Sequence, residues 1–218
     1  MVDVNRIAQG MLKLINSKQT ITQTFLKSLV GGLTTFSQDI FLVAKDFFDT
    51  DNRWRNETDK IRLAALIKRG SSSEDLKKMA SIVVRNYWSN LTSEQIELLA
   101  VKVGGTVIGK MVFNLATLSH VLTLFFERAI TRFVFSIGIG AIFSIGAAAS
   151  DSVYSSNDLK SRNLKIYNEL RAHGDLDLLY FLLKDFLDPY LDAIDLQSVS
   201  PKLSNDVFTI YVNGIIHV

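Results

Sequence analysis

Residues 103–150 read VGGTVIGKMVFNLATLSHVLTLFF, then ERAITR, then FVFSIGIGAIFSIGAAAS, and the fold turns on how these two apolar runs are housed. The first run, 103–126, carries one charge, Lys110; the second, 133–150, carries none. As α-helices they would be roughly 36 and 27 Å long, against about 30 Å for the hydrocarbon core of a bilayer. A helix that is apolar all round must be covered by other helices or by lipid. The stretch therefore reads as a helical hairpin with Glu127, Arg128 and Arg132 at its tip.

Small residues mark one face of each arm. Ser136, Gly140, Ser144 and Ala148 recur every fourth position in the second run, and Gly105 and Gly109 do so in the first. Such faces let backbones approach closely, the basis of helix association in lipid. Each glycine in a helix interior costs about 1 kcal/mol relative to alanine, and this stretch holds six. That cost is hard to reconcile with a bundle built for stability alone, so the pattern favours lipid. Asn114 and His120 lie deep in the first arm, placed to face a water-filled lumen or to hydrogen-bond across helices. Lys110 is near enough to an end to snorkel.

Outward from the hairpin, the chain reads as amphipathic helices. Val4, Ile7, Ala8, Met11, Leu12 and Ile15 follow a helical period after Asp3. A second stripe runs through 20–48, with Gly31-Gly32 as a kink. Asn56 caps a helix to about Arg69, Ser71–Ser73 cap another through Trp88, and Thr92 with Gln95 has capping-box spacing. On the far side, 151–157 is polar and a helix is expected from about Asp158 to His173, stopped by Gly174. Residues 175–195 alternate leucine and phenylalanine with six aspartates, Asp175, Asp177, Asp185, Asp188, Asp192 and Asp195, which suggests acidic amphipathic helices broken near Pro189 and presenting a solvated face. The end, VFTIYVNGIIHV, has β-branched residues around Asn213-Gly214, the signature of a short C-terminal β-hairpin. The expected class is all-α: a single helical bundle over 1–218 of about eight or nine helices, with covering helices in 1–102, the hydrophobic hairpin in 103–150 and acidic helices in 151–218.

Composition narrows the function. Of 218 residues 48% are hydrophobic, with mean hydropathy +0.20, high for a soluble chain and low for a polytopic transporter. The net charge of +2 hides an asymmetry: 14 basic against 11 acidic residues in 1–100, and 6 against 10 in 151–218. Lysines and arginines are interspersed with acids, so no basic strip for nucleic acid is present. There is no cysteine, which removes disulfides, thiol catalysis and Cys-ligated zinc. Asp3 and Arg6 interrupt the start of any secretory signal, so export would need a route without a cleaved signal peptide. Residues 104–110, GGTVIGK, match the opening of a P-loop, but Met111 stands where the Mg²⁺-binding Ser or Thr belongs. His120, His173 and His217 form no metal motif. No catalytic set, metal site or cofactor site is expected.

An apolar hairpin wrapped by amphipathic helices, with FSIGIGAIFSIGAAAS in its second arm, resembles the pore-forming domains of colicins, and the small size resembles the ion-selective pore-forming effectors delivered by type VI secretion. The resemblance implies a bacterial toxin, soluble in the producing cell, that inserts its hairpin into the inner membrane of a target cell and depolarises it. It implies membrane lipids, a cognate immunity protein, a component of the secretion apparatus and further copies of the chain in a pore oligomer as partners. Colicin tips are nearly uncharged, whereas here Glu127, Arg128 and Arg132 would have to enter or cross the bilayer. Two other classes fit the same pattern: a constitutive two-span membrane scaffold with cytoplasmic ends, and a soluble helical adaptor with a greasy core.

Overall fold

The computed structural model describes residues 2–16, 56–69, 73–104, 127–132 and 145–215. These residues are almost entirely helical and contain no strand, as the all-α reading requires. The helices are α1 (Val4–Ile15), α2 (Asn56–Arg69), α3 (Ser73–Trp88), α4 (Ser93–Gly104), α5 (Ile145–Arg162), α6 (Leu164–Ala172), α7 (Lys184–Val199) and α8 (Pro201–Gly214), with a 3₁₀ segment at Leu176–Leu182. The stripe in 20–48 lies outside the described residues.

Local chemistry sets the helix starts. Asp3 Oδ1 accepts from the Arg6 amide at 3.0 Å, Asn163 Oδ1 from Ile166 at 3.0 Å, and Ser200 Oγ from Leu203 at 3.5 Å, with Pro201 at the first helical position. The capping box forms as expected: the Thr92 amide donates to Gln95 Oε1 at 3.1 Å and the Gln95 amide to Thr92 Oγ1 at 3.3 Å.

The chain divides into two compact units. The first holds α1, the part of α3 from Ala80, α4, residues 127–132, α7 and α8. Here α1 packs on α7 and α8, and α4 on α8. The buried face of α1 includes the expected Ile7, Ala8, Met11, Leu12 and Ile15 and also Gly10 and Leu14, while Val4 is half-buried. Gly10 is needed because a Cβ there would come within 2.5 Å of Pro189 Cγ. The Asn16 side-chain amide donates to the Gly214 carbonyl at 2.7 Å, tying the end of α1 to the end of α8. The second unit holds α2, the first residues of α3, α5, α6 and the 3₁₀ segment, with α5 packed on both α6 and the 3₁₀ segment.

Several expectations are corrected. The C-terminal β-hairpin is replaced by α8, in which Val207, Phe208, Tyr211 and Val212 are buried at helical spacing. Burial of that stripe overrides the β-preference of Val, Ile and Thr, and Asn213-Gly214 is a helix end, with Gly214 against Leu12, rather than a turn. Pro189 does not break its helix; α7 continues through it to Val199. Residues 176–182, expected to be α-helical, form the 3₁₀ segment. Residues 151–157, expected as a polar connection, lie inside α5, and the break falls instead at Asn163.

Alanine at position 10 raises helix propensity by about 1 kcal/mol, but the rigid Pro189 ring leaves no space, and overpacking costs about 1–3 kcal/mol. Gly10→Ala is therefore expected to lower the denaturation midpoint, measured by urea titration followed by circular dichroism. An unchanged or higher midpoint would show that α1 and α7 separate freely.

Candidate functional site

Most residues singled out from the sequence, namely Gly105, Gly109, Asn114, His120, Ser136, Gly140 and Ser144, lie outside the described residues, as do Lys110 and the P-loop-like 105–110. Ala148 falls within α5. The charged hexapeptide read as the hairpin tip is helical over 127–132, with Ala129 and Ile130 buried and Glu127, Arg128 and Arg132 exposed; the arms on either side of it lie almost wholly outside the described residues. Of the histidines, His173 is exposed at the end of α6, its Nδ1 2.8 Å from the Glu169 carbonyl oxygen. Among the described residues no group of His, Asp or Glu is arranged to hold a metal.

The densest polar chemistry lies in the second unit. Asp59 and Arg62 are three residues apart in α2 and so share a face. Arg62 Nη1 donates to Asp59 Oδ1 at 2.7 Å, Nε to Asp175 Oδ1 at 2.6 Å and Nη2 to Asp177 Oδ1 at 2.5 Å. The other oxygen of Asp177 accepts from Ser156 Oγ at 2.6 Å, and one turn earlier in α5 Ser152 Oγ donates to the Leu178 carbonyl at 2.6 Å. Asp177, Ser152, Ser156 and Arg62 are buried. The turn carrying the two aspartates is left-handed, with Gly174 at φ 97° and Asp175 at φ 61°. Seven residues beyond Arg62 on the same face of α2, Arg69 Nη2 lies 3.4 Å from both the Gly174 carbonyl and Asp75 Oδ1.

Burial alone would lower the pKa of Arg62. Hydrogen bonds to Asp177 and Asp175, the charge of Asp177 and the bond to Asp59 outweigh it and hold the pKa above its ordinary value. The guanidinium is therefore fixed as a cation. Both Asp177 oxygens are engaged, by Arg62 and by Ser156, so this carboxylate is not poised as a general base. Its burial corrects the reading of the aspartate row as a wholly solvated face: Asp185 is exposed and Asp175 half-buried, but Asp177 is inside. Sequence spacing shows only the Asp59–Arg62 pair; the partners at 175 and 177 are more than a hundred residues away and leave no local signature.

The first unit has a different polar centre. Tyr87 on α3, Tyr190 on α7 and Tyr211 on α8 meet edge to face, with ring centroids 5.9 to 6.2 Å apart and interplanar angles of 75° to 90°. Tyr190 Oη donates to the Met11 carbonyl at 3.1 Å and lies 3.5 Å from Tyr211 Oη, whereas Tyr87 Oη has no hydrogen-bond partner among the described residues. Burial pushes all three phenols well above the ordinary tyrosine range. No family model, no curated protein and no solved structure matches this chain.

The tyrosine centre gives a pH dependence of defined sign. Above pH ~10 the unfolded chain ionises these phenols while the folded chain keeps them protonated, so stability is present below that pH and lost as pH rises, by about 1.4 kcal/mol per pH unit for each phenol. Tyr87→Phe should remove about a third of that alkaline slope. It should also raise stability at neutral pH by about 1 kcal/mol, since it deletes an unsatisfied buried hydroxyl, while Tyr190→Phe should lose about 1 kcal/mol with its bond to Met11. Urea titrations between pH 8 and 11 check both, and a Tyr87→Phe variant with the parent slope would contradict the assignment.

Proposed function

We propose that this protein is a bacterial pore-forming effector whose two apolar runs, 103–126 and 133–150, enter a target-cell inner membrane and conduct ions. The observation that carries this reading is the sequence of those runs: 24 and 18 residues with a single charge between them, each bearing small residues at four-residue spacing. The rest of the chain supports it by contrast. Flanking the runs in sequence, helices such as α1 carry a buried apolar stripe and an exposed polar face. Among the described residues no helix is long and apolar enough to cross a membrane.

On this reading the driving force for entry is apolar area leaving water, worth roughly 25 cal/mol per Å². Asn114 and His120 then lie at depths where a polar side chain faces a lumen or bonds across helices, and Gly140 sits at the centre of the close-contact face. The reading brings its own partners: membrane lipids, further copies of the chain in the pore, an immunity protein that protects the producer, and the apparatus that delivers it.

Vesicles holding a potassium diffusion potential, reported by a voltage-sensitive dye, test the proposal. The parent chain should abolish the potential while the lipids remain chemically intact. Gly140→Leu should float with the vesicles and stay helical yet lose most of the conductance, because a bulky residue holds packed helices apart. A potential that survives bound protein, or lipid hydrolysis products in its place, would sink the reading.

A further inference from the structure

The second apolar run ends inside α5: residues 145–150 are both its last six residues and the first six of the helix. What fixes α5 therefore fixes the root of the run. Within the next two turns, α5 is held by the hydroxyls of Ser152 and Ser156, the first on the Leu178 carbonyl and the second on the buried carboxylate of Asp177, which Arg62 grips from α2.

We propose that this node is a latch, holding α5 on the 3₁₀ segment and α2, and opening as a local unit to free the root of the second run. The proposal rests on the pore-forming reading for its consequence, but not for its geometry. Three features distinguish a latch from an ordinary core contact. Replacing a buried ionic cluster with well-packed apolar groups is often neutral or stabilising, so stability alone does not call for charges at this corner. On opening, the buried guanidinium of Arg62 and the buried carboxylate of Asp177 regain water, which offsets part of the cost of separating the elements, whereas an apolar contact of similar area regains nothing. The adjoining turn is also held in a sparsely populated conformation, since Asp175 is a non-glycine residue at φ 61°. Such strain persists only while the surroundings enforce it. The corner is accordingly two-state: a buried charge is either fully partnered or exposed.

The test is hydrogen–deuterium exchange by mass spectrometry on the full chain, paired with the vesicle assay. Arg62→Met leaves Asp177 buried without its cation. Amides in 145–162 and 176–182 should then exchange about a hundredfold faster, while 4–15 and 201–214 exchange as in the parent. Loss of vesicle potential should begin sooner. Arg62→Met with Asp177→Leu removes both buried charges together, because Asp59 and Asp175 reach solvent; protection should return and the vesicle response should slow to the parent rate or below. Ser156→Ala, a milder change that keeps the ion pairs, should give a smaller rise at the same amides.

Unchanged exchange at 145–162 in both Arg62→Met and Ser156→Ala overturns the latch. So does loss of protection that spreads equally to 4–15 and 201–214, which would make the node a determinant of the whole fold. If the parent discharges vesicles and Arg62→Met opens α5 without hastening that discharge, the node does not control entry and the proposal fails. If the parent never discharges vesicles, the pore reading fails, and the exchange data alone decide whether α5 is latched.

Discussion

A carboxylate shut away from water must be neutralised where it lies, and Asp177 sets that requirement for one unit of the protein. Its two oxygens are met from two helices, by Arg62 of α2 and Ser156 of α5. Meeting them settles much else. Arg62 has to sit on the same face as Asp59, the turn before the 3₁₀ segment has to pass through a left-handed Gly174-Asp175 pair, and α5 has to present two serines one turn apart. Breaking such a buried pair from one side typically costs about 3–5 kcal/mol, a large share of a domain's net stability. The surrounding leucines supply area, but the carboxylate supplies the register.

The other unit closes around tyrosines instead of charges. Rings from α3, α7 and α8 meet edge to face over α1, and the polar ends of two of them converge near Met11. One exclusion then sets how closely α1 and α7 approach: Gly10 admits the rigid ring of Pro189, which a larger residue there would meet. At the end of α8, Gly214 lies against the flexible end of Leu12. The two units thus bury their polar groups by different means, one through full ionic compensation and the other through neutral phenols, and they should respond differently to salt and to alkali.

The helical class was legible because apolar residues in α1, α3 and α6 follow the 3.6-residue period, and because the caps at Asp3 and Thr92–Gln95 act over three or four residues that a reader of the sequence can see. The errors fall where a local rule met a tertiary demand. Val-Phe-Thr-Ile-Tyr-Val favours a strand in isolation, yet Tyr211 and Phe208 are required in the core and draw the segment into a helix. A proline ordinarily ends a helix, yet α7 runs through Pro189, whose ring fills the space left by Gly10 of α1. Ser152 and Ser156 look like surface serines until a buried carboxylate appears beside them. The ionic node itself was illegible because its members are separated by more than a hundred residues, and nothing in a lone Asp-Leu-Asp announces which aspartate will be buried.

The functional reading stands on the one part of the sequence with no amphipathic solution. A run such as FVFSIGIGAIFSIGAAAS offers no polar face to water, and for a pore former its destination is lipid. Because the chain has no cysteine, a single probe can be placed without altering any native thiol. An environment-sensitive fluorophore on Ala141→Cys, compared with the same label on Lys202→Cys at the exposed start of α8, measures that destination directly. If the run enters lipid, anionic vesicles will shift the emission at 141 strongly to the blue and protect it from an aqueous quencher, while the label at 202 stays accessible. Emission at 141 that ignores vesicles, or a label there that remains as quenchable as the one at 202, would contradict membrane entry.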